Sequence, residues 1–247
     1  MKLVRRVGIG FINKLPSSLK WSLYYLSFFK KRLRIDFTKT RNSLLSKKSA
    51  ILVIGANDGL SFDDLFGSLN SSLTTGLLLE PSSKYFSQLV KNAAHLLNLI
   101  PLKIALSSSN SSLNLYQLNE KGLKKMPEWG RGLGSFSKEH LLKYDGVSEE
   151  DIESELVEGR SFNSLIEEYN FFAIEYLQID TEGFDAEIIK MIDFKSFSSK
   201  LIKFEVSNIN YQEILETKEI LKNQNYYLIR QGGDMIAYSK NINPIFY

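Results

Sequence analysis

The stretch Ile51-Leu-Val-Ile-Gly-Ala-Asn-Asp-Gly59 constrains the fold more than any other part of the chain. Four β-favouring apolar residues run straight into a turn made of two glycines and small or polar residues. A strand that is apolar at every position belongs inside a parallel sheet with helices on both faces. In the turn, Gly55 and Gly59 are free to adopt backbone angles that a Cβ forbids and to bring the main chain close to a ligand. Asn57 and Asp58 tolerate the same region and add polar side chains. In an open α/β sheet such a turn lies at the carboxyl end of its strand, beside the switch point where ligands bind.

The rhythm of strand, turn and helix then repeats. After the first strand over 51–54, a short helix is expected over 61–66 and a second strand over 76–80, ending on Glu80. Pro81 opens a helix whose apolar face reads Phe86, Leu89, Val90, Ala93 and Leu97, with His95 solvated opposite. Residues 102–106 read as a third strand and 111–116 as an added edge or hairpin strand. The pattern lapses over 119–159, which holds Trp129, three glycines in Gly130-Arg-Gly-Leu-Gly134 and the acidic run Glu149-Glu-Asp151. An insertion of this length in a compact domain is usually a lid or a disordered segment. The tryptophan and glycines favour an ordered lid, and the acids a solvated helix start. A helix over 162–169, a strand over 174–179, a helix with Phe184, Ile188, Met191 and Ile192 inward, a strand over 201–206, a helix over 211–222 and an antiparallel pair around Gly232-Gly233 complete the chain. About seven strands with helices between most of them imply an α/β three-layer sandwich.

Charge divides the chain in two. Residues 1–48 carry thirteen Lys and Arg against the single acid Asp36, whereas the remainder carries eighteen bases against twenty-seven acids. A uniformly basic nucleic-acid-binding surface on the main domain is therefore not expected, and the tail is the part suited to an anionic partner. The predicted division is a basic N-terminal helical extension over 1–48 and a main domain over 49–247. Gly8, Gly10 and Pro16 make 1–16 a loose arm, and a helix follows over 17–29, closed by Lys30, Lys31, Arg32 and Arg34. Its apolar residues cover most of its circumference, so it calls for burial on the domain, on a partner or at a lipid surface, with peripheral membrane contact through 1–34 as one expectation. No apolar run is long enough to span a bilayer, the flanks do not suit a secretion signal, and zero cysteines exclude disulfides and thiolate chemistry. A cytoplasmic protein, peripheral to the inner face of a membrane, is the corresponding expectation for location.

Three features fall at the carboxyl ends of predicted parallel strands: the Gly55–Gly59 turn, Glu80 and Asp180. Glu80 follows Gly55 by twenty-five residues, close to the roughly twenty-residue spacing at which an acid accepts hydrogen bonds from a cofactor ribose. The dinucleotide pattern G-x-G-x-x-G is absent, and Asp58 would repel a pyrophosphate. A cationic cofactor fits better, and S-adenosylmethionine combines a sulfonium, an ammonium and a ribose.

Taken together, Val53-Ile-Gly-Ala-Asn-Asp-Gly59, Glu80-Pro81, Gly132-Leu-Gly-Ser-Phe136 and Leu177-Gln-Ile-Asp-Thr-Glu-Gly-Phe-Asp-Ala-Glu187 resemble the FkbM family of S-adenosylmethionine-dependent methyltransferases, over about residues 50–206. The resemblance implies the class I methyltransferase (Rossmann-like) fold, a seven-stranded, mostly parallel sheet with an antiparallel C-terminal strand. It also implies O-methylation of a hydroxyl on a sugar, glycan, polyketide or similar metabolite. By the same resemblance Gly55, Ala56, Asn57 and Gly59 line the methionine part, Glu80 binds the ribose, Ala105 and Leu106 lie near the adenine, and Asp180 stands beside the methyl group and the acceptor.

In-line displacement at an activated methyl needs positioning above all, and an aliphatic hydroxyl also needs a base. Asp180 is the first candidate, Glu182 the second and His140 the third. Glu182 reads equally as an acid at a helix N-terminus, and His140 as a solvent-facing helix residue; Asp185 and Glu187 read as helix-start and surface acids. Two carboxylates alone do not make a metal site, so no metal is expected. Amino-group methylation of nucleic acid lacks its Asn/Asp-Pro-Pro-aromatic loop, since Thr181 and Glu182 follow Asp180. The alternative to an enzyme is a non-catalytic or partner-dependent cofactor-binding relative, tethered by its basic helix.

Overall fold

The computed structural model describes residues 8–25, 33–61 and 64–247, without the side chain of Trp129. Residues 1–7, the expected helix end from Leu26 to Arg32 with its bases Lys30, Lys31 and Arg32, and the Phe62-Asp63 part of the expected short helix lie outside the described residues.

The main sheet has seven strands in the order β10-β11-β9-β8-β1-β2-β3. β1 (Ser49–Ile54) pairs in parallel with β2 (Thr74–Leu79) on one side and β8 (Ala173–Ile179) on the other, and β2 pairs with β3 (Leu99–Leu102). β8 pairs in parallel with β9 (Ser198–Glu205). β11 (Asp234–Ser239) then inserts antiparallel between β9 and β10 (Tyr226–Gln231). The chain builds outwards from β1 in both directions, so the switch point lies between β1 and β8, where ligands gather in such sheets.

Both faces are covered, which is why β1, β2 and β8 are buried through their last four residues. On one face Leu52, Leu77, Leu177 and Ile202 pack against α6 (Phe162–Tyr169), α7 (Asp185–Met191) and α8 (Tyr211–Asn223) through Phe162, Leu165, Ile188, Ile189 and Leu221. On the other, Ile51, Val53, Tyr176, Leu201 and Tyr238 meet α1 (Ser17–Tyr25), α2 (Phe37–Leu45) and α3 (Ser83–Asn92) through Trp21, Leu45 and Leu89. The α1 helix thus packs on the domain. The expected loose arm is replaced by a helical stretch over 8–12, and Asn13 and Phe246 exchange hydrogen bonds of 3.1 and 2.9 Å that tie the arm to the C-terminal segment.

Several boundaries differ from those expected. The third strand lies at Leu99–Leu102 and includes Pro101, which an edge strand tolerates. Ala105–Leu106 is a separate strand, β4, of a second sheet. Helix α3 buries Tyr85 and Leu89, followed by Ala93 and Leu96 beyond its end, whereas Val90 and Leu97 are 44% and 83% exposed. The helix stops at Asn92, so Leu97 falls in the next turn. Where the expected helix over 61–66 ends, the described residues form a 3₁₀ turn at Phe66–Ser68.

Residues 119–159 are not an irregular lid throughout. The second sheet, ordered β4-β7-β5-β6, comprises β4, β5 (Ser111–Leu118), β6 (Gly134–Ser135) and β7 (Ile152–Arg160), with α4 (Glu120–Leu123) and α5 (Lys138–Leu141) in its connections. All eight residues of β5 pair with β7. The acidic run is a 3₁₀ turn with a capping box: Asp151 is buried, accepts hydrogen bonds from Ser148 and is 2.6 Å from the Lys125 ammonium, while Glu149 and Glu150 stay in solvent. Among the described residues no helix is long and apolar enough to cross a membrane.

Candidate functional site

The ends of β1 and β8 touch at the floor of the site. Asp180 donates its N–H to the Ile54 carbonyl at 2.9 Å, and a Cβ on Gly55 would stand 1.8 Å from the Asp180 carbonyl oxygen. Gly55 has φ +80°, so both its space and its backbone angle demand glycine. Asn57 at φ +49° and Gly59 at φ +76° complete the turn. The Asn57 N–H, released from any ladder, donates to one Glu80 carboxylate oxygen at 2.9 Å, and the Ser82 N–H donates to the other at 2.9 Å. Glu80 is thereby tied to the glycine turn, and its burial pushes its pKa up to about 7 against those two hydrogen bonds. Asp58 faces its own turn, accepting from the Leu60 and Ser61 N–H groups, and so holds the loop closed.

Two recesses meet over this floor. The first is a narrow, mainly apolar slot walled by Leu79, Ala105, Leu106, Leu115, Phe136 and Phe184, with Glu80 and Gln117 among its polar groups. The Phe136 and Phe184 rings meet edge to face, 5.6 Å apart, and join the glycine-rich phrase of the insertion to the turn after β8. Gln117 accepts a hydrogen bond from the Ser82 hydroxyl at 3.0 Å.

The second recess is polar and acidic. Ala56, Gly59, Gln178, Asp180, Glu182, Lys203, Glu205, Asn208, Asp234 and Tyr144 line it. Asp180 is open to the recess yet enclosed by protein around its mouth; this desolvation, with Asp185 and Glu205 nearby, raises its pKa to about 7. Burial, followed by the charges of Asp180 and Glu205, raises Glu182 to about 8. Glu182 holds φ +53°, an uncommon angle for a residue with a Cβ, and Gly183 follows at φ +103°. The Asn208 amide bridges two carboxylates, donating to Glu182 at 3.0 Å and to Glu205 at 3.1 Å. Lys203 and Asp234 are 3.4 Å apart.

Asp185 is fully buried beneath the turn, which corrects the surface role expected from its helix-start position. Its carboxylate accepts from the Thr181 hydroxyl at 2.8 Å, the Thr181 N–H at 3.2 Å and the Glu205 N–H at 3.0 Å, so it pins the ends of β8 and β9 together. Glu187 is partly exposed and pairs with Lys190 at 2.9 Å.

Every sequence-selected residue except His140 lies on one or both recesses: Gly55, Asn57, Asp180 and Glu182 on both, Ala56 and Gly59 on the acidic one, Glu80, Ala105 and Leu106 on the apolar one. His140 sits one layer out. Its Cε1 is 3.6 Å from where a Gly183 Cβ would be, its ring meets Tyr144 edge-on at 5.9 Å, and its buried Nε2 has no hydrogen-bond partner among the described residues. Burial, and then the Lys143 charge, lower its pKa and favour the neutral ring. His95 is exposed. Among the described residues no group of three or more His, Cys, Asp or Glu is placed to hold a metal ion.

Sequence reasoning passed over Glu205, Asp234, Lys203 and Asn208. Glu205 ends β9 and stands one residue inside the end of the strand expected over 201–206, so it was open to the same argument as Asp180. Asp234 was hidden by direction: β11 is antiparallel, so its first residue, opposite Glu205, lies at the edge where its neighbours end.

The seven-stranded sheet with one antiparallel strand and a glycine turn at its switch point define a class I methyltransferase-like α/β protein. The family model described as the methyltransferase FkbM domain matches residues 54–228. The chain belongs to that family of S-adenosylmethionine-dependent methyltransferases. A search of curated proteins found no match. Among solved structures, the methyltransferase FkbM from Methylobacillus flagellatus KT is 12% identical with a TM-score of 0.46; the match covers 91% of this chain and 48% of that one. Precorrin-6y C5,15-methyltransferase from Geobacter metallireducens GS-15 is 12% identical with a TM-score of 0.40, covering 81% of this chain and 86% of that one.

Proposed function

We propose that this methyltransferase moves a methyl group from S-adenosylmethionine to a hydroxyl oxygen of a sugar, glycan, polyketide or similar metabolite. The observation that carries this reading is the position of Asp180: its carboxylate stands where the apolar slot meets the polar recess, within reach of a donor in one and an acceptor in the other. The residues present suit the cofactor. Glu80 closes one end of the slot with both oxygens already oriented by backbone N–H groups and with acceptor capacity left for two ribose hydroxyls. Ala105, Leu106 and Phe136 offer flat apolar walls to an adenine. The turn at Gly55, Ala56, Asn57 and Gly59, with positive φ at Gly55, Asn57 and Gly59, lets main chain approach the methionine part. When bound, the cofactor supplies an activated methylsulfonium.

The chain's own work is to position and to move one proton. Asp180 accepts a hydrogen bond from the acceptor hydroxyl and takes its proton as the oxygen bonds to carbon. A carboxylate raised to about 7 is a better proton acceptor than an ordinary aspartate and is still largely ionised at pH 7.5 to 8. Glu182, held by Asn208 on the same turn as Asp180, orients the acceptor and is the second candidate base. Neutral His140, behind Gly183 and outside both recesses, is the third candidate base. Incubation with cofactor carrying a labelled methyl and a panel of hydroxyl acceptors tests the assignment. Label is expected in an ether-forming position, and Asp180→Asn is expected to lower turnover by about 10²- to 10⁴-fold. Transfer to nitrogen, or full activity in Asp180→Asn, contradicts it.

A further inference from the structure

The N-terminal arm is fixed on its inward side and unusual on its outward side. Inward, the buried Lys20 ammonium donates to the Pro244 carbonyl at 3.2 Å and the Trp21 indole N–H to the Ile242 carbonyl at 3.1 Å. The Trp21 ring lies 4.4 Å from that of Tyr227 and 5.5 Å from that of Tyr238. Of the side chains that the arm leaves in solvent, Phe11 is 67%, Leu19 51% and Tyr25 42% exposed, and Tyr247, whose N–H is bonded to the Arg34 carbonyl, is 55% exposed. Four of the twelve exposed large apolar side chains among the described residues thus belong to the arm or to the C-terminal residue attached to it.

The charge of the same segment is of one sign. Residues 1–34 contain nine Lys and Arg and no acid. Of these, Lys14 and Arg34 are exposed among the described residues. The chain beyond residue 48 has nine more acids than bases. An anionic plane would therefore attract the arm and repel the rest, which sets an orientation as well as a contact.

We propose that the outward side of the arm docks on an anionic lipid bilayer, with Phe11 and Leu19 entering the interface and the exposed bases Lys14 and Arg34 among the headgroups. Exposed bulky apolar side chains in an acid-free, basic segment match a surface that is negative outside and hydrocarbon just beneath. A nucleic-acid backbone satisfies the charges and leaves Leu19 without an apolar partner, whereas a bilayer answers both. This inference does not depend on the acceptor or on methyl transfer.

Co-sedimentation of the full chain with vesicles tests it, using neutral phosphatidylcholine alone and phosphatidylcholine mixed with phosphatidylglycerol. Binding is expected only to the mixed vesicles, falling as salt is raised. Phe11→Ser with Leu19→Ser, which preserves every charge, is expected to weaken that binding by about tenfold or more, while circular dichroism and thermal unfolding stay those of the parent. Leu97→Ser, at a still more exposed apolar position elsewhere, is expected to bind as the parent does. No binding to mixed vesicles at low salt overturns the proposal. So does parental binding by the Phe11/Leu19 variant, which would reduce the contact to charge alone, and so does tighter retention by an RNA homopolymer than by vesicles.

Discussion

At the scale of single residues, the site depends on a few positions where backbone and charge are held against their ordinary preferences. Gly55→Ala places a Cβ inside the Asp180 carbonyl group and also takes a left-handed angle that costs about 1–3 kcal/mol by itself. It is expected to lower the unfolding free energy by at least ~2 kcal/mol in a urea titration and to abolish cofactor binding. Asp180 gives a pH signature. A general base works when deprotonated, so kcat should rise through about pH 7 and level off above it; a kcat profile that falls over this range contradicts the role. Asn208→Ala removes the donor shared by Glu182 and Glu205, which makes both carboxylates easier to protonate and reduces the negative charge around Asp180, so the rising limb of the profile should move to lower pH with cofactor affinity unchanged. Much of this residue scale was legible in sequence: Gly55, Glu80 and Asp180 stand at strand ends, where the topology of an α/β sheet collects function. Asp185 was not, because an acid at a helix start is usually solvated, and only the fold brings the Thr181 and Glu205 donors around it.

At the scale of elements, the glycine-rich phrase over 132–136 connects the accessory sheet to the cofactor slot. Phe136 belongs to the wall of the slot and packs on Phe184. Phe136→Ala should weaken S-adenosylhomocysteine binding by about three- to tenfold, in line with the ~0.5–1.5 kcal/mol of an aromatic pair, with little change in melting temperature; unchanged affinity in calorimetry would remove the accessory sheet from the site. Strand β7 escaped sequence analysis for a physical reason. Glu153, Glu155, Glu158 and Arg160 leave few of its residues buried, so neither apolar alternation nor β-propensity marks it. Its ladder with β5 holds it in place, since strand preference is largely a property of the neighbours. The third strand begins earlier than the expected 102–106 and takes in Pro101, which it can do because an edge strand has no partner for the missing N–H. By contrast β1, β2 and β8, buried on both faces, were readable from their apolar runs.

At the scale of the whole molecule, the arm and the C-terminal segment lock one face of the sheet. Trp21 is 1% exposed, and Trp21→Ala is expected to cost about 3–5 kcal/mol of stability in denaturant unfolding. The acidic recess sets a second global property. Glu80, Asp180 and Glu182 have folded-state pKa values raised to about 7, 7 and 8, so between pH 4.5 and 8 the folded ligand-free chain holds more protons than the unfolded one. Their contribution to stability is present at the acid end and is lost as pH rises through the folded values. The ligand-free melting temperature should fall from pH 5.5 to pH 8, and Glu182→Gln should flatten that slope; a rising melting temperature contradicts the electrostatics of the site. The division of charge between tail and domain was visible in the sequence, whereas the packing of α1 on Tyr227 and Tyr238 depends on contacts two hundred residues away in the chain.

The measurement closest to the central claim is calorimetric titration of the purified chain with S-adenosylhomocysteine, with NAD as control and Glu80→Ala beside the wild type. The site described here is expected to give micromolar binding of S-adenosylhomocysteine, no binding of NAD, and at least about a tenfold loss in Glu80→Ala, the cost of losing charge-assisted hydrogen bonds to the ribose. Binding of NAD alone, binding of neither, or unchanged affinity in Glu80→Ala would contradict it.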